Sequence, residues 1–415
     1  MDPFNKKQGA SPHYSLYQRE LLKRGPIGGL PNLSCEPSKL QESTKDKLTD
    51  RGYWYASSNA GLGWTDRANR EAFYHWRIIP KMLRDTRARD LTVDLFGHTL
   101  PAPILFAPIG INKIYHPEGE LIPARVAGKL GLGYCLSTAA SRSIEEVAAA
   151  NGNGPRFFQL YMSDDDELTT SLLERAFKNG FDVMMLTLDT WQLGWRPTDT
   201  DIGNYAFYYG EKEKLGTVGN EMGESDPVFM RKHAEDLKQD SGRWIDSSVW
   251  HGKAHTWDKM PWLKQEWSRI SKGRPFVLKG IQCVEDALRA IEVGADGIVV
   301  SNHAGRQVDG AVGSLEVLPE IVDAVGDKLV ILYDSGIRGG ADVFKALALG
   351  AKAVMFGRLW VWGMAHGEAG CMHITKSLLA DFDILMTNAG FASVKEISRK
   401  DLRYSPHVSG GGVKL

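Results

Sequence analysis

Short apolar or β-branched runs recur along the chain at 104–108, 134–136, 157–160, 183–188, 276–278, 297–300, 329–332 and 353–356. Each is too short and too uniformly apolar for an exposed helix, and predicts a strand buried on both faces. Between most of them lie stretches with helical spacing. After the third run, Ser163-Asp164-Asp165-Asp166 predicts the cap of a helix carrying Leu168, Leu172, Leu173, Ala176 and Phe177, ended by Gly180. After the seventh, Val343, Phe344, Ala346, Leu347 and Leu349 repeat that spacing up to Gly350. Strand and helix alternating eight times predict an α/β fold, a single (β/α)₈ TIM barrel. A doubly wound open sheet is the competing architecture, which the count of eight units disfavours.

Two segments fall outside this rhythm. Residues 1–100 read as an N-terminal extension packed on a barrel spanning 101–415. The gap between runs four and five far exceeds an ordinary barrel loop, and residues 197–262 within it read as a lid. It is rich in aromatics, among them Tyr205, Phe207, Tyr208, Tyr209, Phe229, Trp244, Trp250, Trp257 and Trp262, which argues against disorder. An insertion after the C-terminal end of a strand lies over the catalytic face; an oligomer contact is the alternative reading.

Composition narrows the classes further. The chain has 415 residues, 43% hydrophobic and 24% charged, enough apolar content for a large core. Its net charge of −1, with both signs interspersed, gives no sign of a nucleic-acid or membrane-surface partner. The N-terminal stretch lacks the apolar core of a secretory signal, and no run approaches the ~20 apolar residues of a membrane span. A soluble cytoplasmic protein is expected. The C-terminal Val413-Lys414-Leu415, close to a peroxisomal Ser-Lys-Leu address, keeps that compartment open. None of the cysteines, Cys35, Cys135, Cys283 and Cys371, forms a C-x-x-C pair, so no zinc site or disulfide framework is indicated and no metal is expected.

The chemistry gathers where barrel enzymes hold it, at the C-terminal strand ends. In order these read Pro108-Ile109-Gly110, Ser137-Thr138, Gln159-Leu160-Tyr161, Thr187-Leu188-Asp189, Lys279-Gly280, Ser301 to Arg306, Asp334-Ser335-Gly336 and Gly357-Arg358. Burying such groups unpaired would cost about 1–3 kcal/mol each, so a polar ligand is implied. Glycine turns after strands seven and eight, each with an arginine (Arg338, Arg358), suit a phosphate group. His303 can act as a general base, with Asp189 a candidate to hold its ring, and Arg306 offers a fork to a carboxylate. A non-redox barrel enzyme and a catalytically silent binding protein remain the alternatives.

Ser301-Asn302-His303-Ala304-Gly305-Arg306-Gln307 and the Asp334–Gly340 run, followed by Asp342-Val343-Phe344-Lys345-Ala346-Leu347, resemble the FMN-dependent L-2-hydroxy acid dehydrogenases and oxidases over about residues 53–400. The resemblance implies FMN, a homotetramer or larger, and a small L-2-hydroxy acid substrate; dioxygen is the expected acceptor, and a simple oxidase releasing 2-keto acid and hydrogen peroxide, or a dehydrogenase using another acceptor, is the alternative. It implies that His303 takes the substrate α-proton, oriented by Asp189, and that Tyr161 bonds the substrate hydroxyl. Arg306 and an N-terminal tyrosine would bind the carboxylate, with Arg196 a second active-site arginine. Gapless counting from Trp64-Thr65 makes the tyrosine Tyr55; matching the Tyr-Ala-Ser string would put Trp54 there. Lys279 would face the flavin N1–C2 carbonyl. Pro108, Ile109, Gly110, Ser137, Gln159, Thr187 and Ser301 would surround the ring system, and Asp334, Gly336, Arg338, Gly357 and Arg358 the ribityl phosphate.

Within the family, Pro108-Ile109-Gly110, Asp189-Thr190-Trp191 running to Gly194-Trp195-Arg196-Pro197, and the insertion with Trp250-His251-Gly252 are similar to lactate 2-monooxygenase. That subgroup implies oxidative decarboxylation behind a closed lid. Gly110, lacking a methyl, is expected to leave room for dioxygen, and Ala139 stands where the family commonly has tryptophan.

Overall fold

A computed structural model of the chain describes residues 6–29, 32–204, 218–237 and 242–406. Eight parallel strands close a barrel in strict chain order: β1 (Ile104–Phe106), β2 (Gly133–Ser137), β3 (Arg156–Leu160), β4 (Val183–Thr187), β5 (Phe276–Ile281), β6 (Gly297–Val300), β7 (Val330–Tyr333) and β8 (Ala353–Phe356). The closing pair sets Val354 opposite Ile104 and Phe356 opposite Phe106. The helices that return the chain are α1 (Leu121–Leu130), α2 (Ile144–Asn151), α3 (Asp166–Lys178), α4 (Met260–Ser271), α5 (Val284–Glu292), α6 (Ser314–Val325), α7 (Gly340–Ala348) and α8 (Gly367–Ala389). The expected cap of α3 is present: Asp165 accepts the backbone N–H groups of Glu167 and Leu168. Neither helix forecast misses its boundaries by more than a residue or two, since Asn179-Gly180 and Gly350 stop α3 and α7.

The two-residue period of a strand sorts the side chains. Facing outward, toward the helices, are Phe106, Leu136, Phe158, Leu186, Leu278, Ile298, Ile331 and Val354, all fully buried. Facing inward, Leu105, Cys135, Phe157, Met185, Val277, Val299, Leu332 and Met355 fill the barrel as a second apolar cluster. Two residues further along the same inward face stand Ser137, Gln159, Thr187, Lys279, Ser301, Asp334 and Gly357. The polar floor of the site is thus the next layer above the apolar plug.

The other end of the barrel is stoppered by a hairpin, Val93–Leu95 against His98–Leu100, whose Val93, Leu95 and Leu100 join the inward cluster. Its turn, Phe96-Gly97, has positive φ at both residues (52° and 89°), as a two-residue hairpin turn with the matching twist requires. Phe96 lies edge-on to Phe157, 6.5 Å between ring centres.

Of the N-terminal extension, the helices Asp50–Ser57 and Trp64–His75 reach the catalytic end. The loop after β6 holds them. Asp309 accepts the N–H groups of Leu62, Trp64 and Thr65, and the amides of Asn69 and Asn302 bond reciprocally at 2.8 and 2.7 Å. Gly305, at φ 73°, permits this contact, because a Cβ there would lie 2.5 Å from the Asp66 nitrogen. The described part of the insertion after β4 anchors on α3. Asp226, fully buried, accepts from Arg175 (3.0 Å) and Ser171 (2.8 Å) and caps the helix Pro227–Leu237, whose Phe229 packs edge-on to Trp244. Tyr205, Phe207, Tyr208 and Tyr209, expected in the lid, lie outside the described residues, as do Val413, Lys414 and Leu415. Among the described residues no helix is long and apolar enough to cross a membrane.

Candidate active site

A cavity opens at the C-terminal strand ends. All of the expected site residues line it except Gln159, Thr187, Asp189 and Ser301, which stand directly behind its wall. Their role there is to hold others. Gln159 accepts from the Ser137 hydroxyl (3.0 Å) and donates to Thr187 Oγ1 (2.9 Å), tying three strand ends into one hydrogen-bonded arc. Ser301 Oγ accepts from Lys279 Nζ and from the His303 N–H, both at 3.1 Å.

His303 sits in a strained turn: it and Ala304 have φ of 56° and 58° although neither is glycine. Such residues cost roughly 1–3 kcal/mol each and persist where surrounding structure over-determines them. Here the Ala304 N–H donates to Ser335 Oγ (2.9 Å), and the Gly305 N–H donates to Asn302 Oδ1 (3.1 Å). The imidazole Nδ1 faces Asp189 Oδ1 at 2.8 Å and Thr190 Oγ1 at 3.1 Å; the Thr190 hydroxyl donates to Asp189 Oδ1 at 2.8 Å. With Nδ1 engaged by a carboxylate, that nitrogen carries the proton and Nε2 is the free basic atom. Burial lowers the His303 pKa, and Lys279 and Arg196 add to this against the opposing pull of Asp189. The ring is therefore neutral and able to accept a proton at neutral pH. Burial alone would raise the carboxyl of Asp189, but His303 and Lys279 outweigh it and hold it at about 2. Lys279, although buried, stays protonated through Asp334 (3.2 Å) and Asp189.

A second group is built for an anion. Arg306 and Arg196 both lie over the ring of Tyr55, 5.2 and 5.8 Å from its centre. Arg306 donates to the Ser58 carbonyl (2.8 Å); Arg196 donates to the Arg306 carbonyl and to Gln307 Oε1. Arg196 Nη1 is buried without a hydrogen-bond partner, and burial, with Arg306 close by, brings this guanidinium down to about 10. A carboxylate placed here would relieve both penalties. Tyr55 lines the cavity, whereas Trp54 is 38% exposed and turned to the surface against Tyr53. Tyr161 also lines the cavity, its phenol pKa raised by burial and by Asp189.

Next to this group, Arg358 shares the Ser58 carbonyl with Arg306 and lowers the pKa of Arg338. Burial is the larger cause, and Arg338 falls to about 10. Asp66 pairs with Arg358 at 2.7 Å, and Asp342 pairs with Arg70 at 2.9 Å. That leaves Arg338 as surplus positive charge beside Gly336 and Gly357. These residues fit FMN. The surplus guanidinium suits the phosphate, the Ser137–Gln159–Thr187 arc and Lys279 suit the polar edge of the ring system, and apolar Ala107, Ile109 and Met355 line the space between.

One expectation fails. Gly110 leaves no room for dioxygen. A Cβ there would stand 2.6 Å from the Ala139 carbonyl oxygen and 2.8 Å from the Ala139 Cβ, because the Ile111 N–H donates to that carbonyl at 2.9 Å. Glycine is required by close backbone packing of two strand-end loops. The sequence also gave no warning of several contributors: Thr190 between Asp189 and His303, Asp66 under Arg358, and Tyr115 and Leu193 on the cavity wall. Trp250 was expected only as part of the lid. It lines the cavity and packs edge-on to Tyr161, 6.5 Å between ring centres.

Comparison with known proteins agrees with this geometry. Residues 44–404 match the model of the FMN-dependent dehydrogenase family. An FMN-dependent alpha-hydroxy acid dehydrogenase of Penicillium citrinum is 43% identical over 94% of this chain and 96% of its own length. An L-lactate oxidase of Lysinibacillus sphaericus is 38% identical over 86% of this chain and 89% of its own. A mandelate oxidase variant with (S)-mandelic acid superposes with a TM-score of 0.76 at 34% identity, covering 90% of this chain and 99% of that one.

Proposed function

We propose, from the premise that this chain belongs to the FMN-dependent dehydrogenase family and uses FMN to oxidise 2-hydroxy acids, that its substrate is a small, lactate-like L-2-hydroxy acid and its electron acceptor dioxygen. The observation that carries the substrate class is the pair of arginines over Tyr55 beside a carboxylate-held histidine. Arg306 and Arg196 bind the substrate carboxylate, and Arg196 Nη1 gains the partner it lacks. The phenol of Tyr161, kept protonated, bonds the substrate hydroxyl. His303 Nε2 takes the proton from the α-carbon, and Asp189 stabilises the imidazolium that forms. The hydroxyl gives up its proton as the carbonyl forms, and one electron pair leaves the substrate. FMN, when bound, would supply the acceptor for that electron pair and for the hydroxyl proton, and the redox chemistry by which they reach oxygen. Lys279, held protonated by Asp334, supplies positive charge against the ring system.

A small substrate is supported by the crowding of the wall: Trp250, Tyr115 and Leu193 enclose it, and Ala139 is pressed against Gly110, so the alanine frees little space. Trp250 also favours a second reading, in which 2-keto acid and peroxide are retained under the insertion and the acid is decarboxylated before release. The test is anaerobic mixing of the yellow protein with a panel of 2-hydroxy acids, followed by the flavin absorbance. Rapid bleaching by L-lactate and its near homologues, and none by the D-enantiomers, is expected. Bleaching only by bulky aryl acids, or by none of the panel, overturns the assignment.

A further inference from the structure

On the outer side of Trp250 lies a cluster that the oxidation chemistry leaves unused. Asp164, on the loop between β3 and α3, faces His251 and His255 from the insertion. Asp164 Oδ1 is 3.6 Å from His251 Nδ1 and 3.8 Å from His255 Nε2, and the three donor atoms all fall within 4.8 Å of one another. The spacing His251-x₃-His255 brings both rings to one place, with Trp191 packed against them at 6.1 and 5.2 Å. We propose that Asp164, His251 and His255 form a binding site for one divalent transition-metal ion of the Zn²⁺ class, which fastens the insertion to the loop that follows Tyr161.

Three features favour a metal over an ordinary polar contact. His255 Nε2 is sealed from solvent and makes no hydrogen bond, so a donor atom is buried without use. His251 Nε2 faces the Met162 carbonyl at 3.0 Å. Donating its proton there fixes the tautomer and leaves the Nδ1 lone pair toward Asp164, which is the outer arrangement that orients metal-binding histidines. Asp164 keeps Oδ1 for the cluster while Oδ2 pairs with Lys253 Nζ at 2.7 Å. Two imidazoles and one carboxylate are a donor set that suits Zn²⁺, and the exposed side of Asp164 leaves a fourth position for water. Tetrahedral Zn²⁺ with bonds of about 2.0–2.1 Å sets its ligands roughly 3.3–3.5 Å apart. The two Asp164 contacts must therefore close by a few tenths of an ångström and the two imidazole nitrogens, within 4.8 Å of each other, by up to roughly 1.5 Å, and His251 Nδ1 must release the 3.3 Å contact from the Lys253 N–H.

The position gives the ion a consequence. His251 follows Trp250, which lines the cavity, and Asp164 lies three residues beyond Tyr161, against which Trp250 packs. An ion here would hold the wall of the cavity closed without touching the reacting atoms. It would slow hydrogen exchange across residues 249–257.

The test uses the flavin-loaded protein, treated with a chelator, dialysed, and titrated with zinc chloride in competition with a chromophoric chelator. One equivalent bound in the micromolar range or tighter is expected. At least a 100-fold loss of affinity is expected in His255→Gln and in Asp164→Asn, each with an unaltered flavin spectrum. Hydrogen exchange of residues 249–257 in the unsubstituted protein should slow several-fold on adding zinc. No zinc bound above the level of either variant overturns the site. Binding that survives both substitutions places the ion elsewhere and overturns it equally.

Discussion

Replacing Asp189 by asparagine keeps the shape of the His303 support and removes its charge. The carboxylate lies 2.8 Å from His303 Nδ1, inside a wall where burial, Lys279 and Arg196 all oppose the imidazolium. Two charges about 4 Å apart at an effective dielectric of about 20 interact by about 4 kcal/mol, equivalent to about 3 pK units of base strength. A transition state with the proton about half transferred feels roughly half of this, so reduction of the flavin should slow by about 30-fold. His303→Gln, which removes the base itself, should cost more, within roughly 10²–10⁴-fold. Both are measured as the anaerobic rate of flavin bleaching by L-lactate in a stopped-flow instrument. The pH profile carries a second readout. Asp189 raises the His303 pKa, so its loss should move the acid limb to lower pH. A rate for Asp189→Asn within threefold of the parent, or equal to that of His303→Gln, would refute the division of labour, as would an acid limb displaced to higher pH.

Gly110→Ala should destabilise the protein by about 1–3 kcal/mol through overlap with Ala139, read as a lower thermal midpoint and weaker flavin retention; unchanged stability with slower flavin reoxidation would restore the idea of an oxygen pocket. Tyr55→Phe should raise KM for the acid several-fold while Trp54→Phe leaves it unchanged, and the reverse order would place Trp54 at the carboxylate. His303 is held below 6.5 by burial, so the unfolded chain binds the extra proton first: stability should fall as pH drops below about 6.5, and fall again as pH approaches about 2, where Asp189 is protonated. Thermal midpoints of His303→Gln should show a smaller upper step, the remainder coming from His13, His255, His366 and His373, whose pKa burial also lowers, and an identical pH profile would contradict it.

The barrel was legible because a strand sorts residues with a period of two, and each of the eight runs carries enough apolar residues to fill both faces. The same period made the site legible: Lys279 stands two residues beyond Val277, and Ser301 two beyond Val299, so the last inward position of a buried run is where a polar residue signals function. What stayed hidden depends on contacts between distant segments. Nothing near Asp66 announces its pairing with Arg358, and three-residue strands such as Val93–Leu95 are too short to show a period. The strain at His303 and Ala304 is equally silent, because a left-handed turn without glycine has no compositional mark. Gly110 shows the opposite failure. The glycine is plain in the sequence, but whether its missing methyl faces a ligand or a neighbouring backbone is decided only by where Ala139 lies.

The measurement that bears most directly on the proposed reaction is product analysis under air, with oxygen uptake, peroxide, 2-keto acid and carbon dioxide followed together during turnover of L-lactate. The account predicts one oxygen consumed for each lactate oxidised, with pyruvate and peroxide as products, or acetate and carbon dioxide if Trp250 and the insertion retain them long enough to react. Lactate oxidised only when an artificial acceptor is added, with no oxygen consumed, would contradict it and make the protein a dehydrogenase.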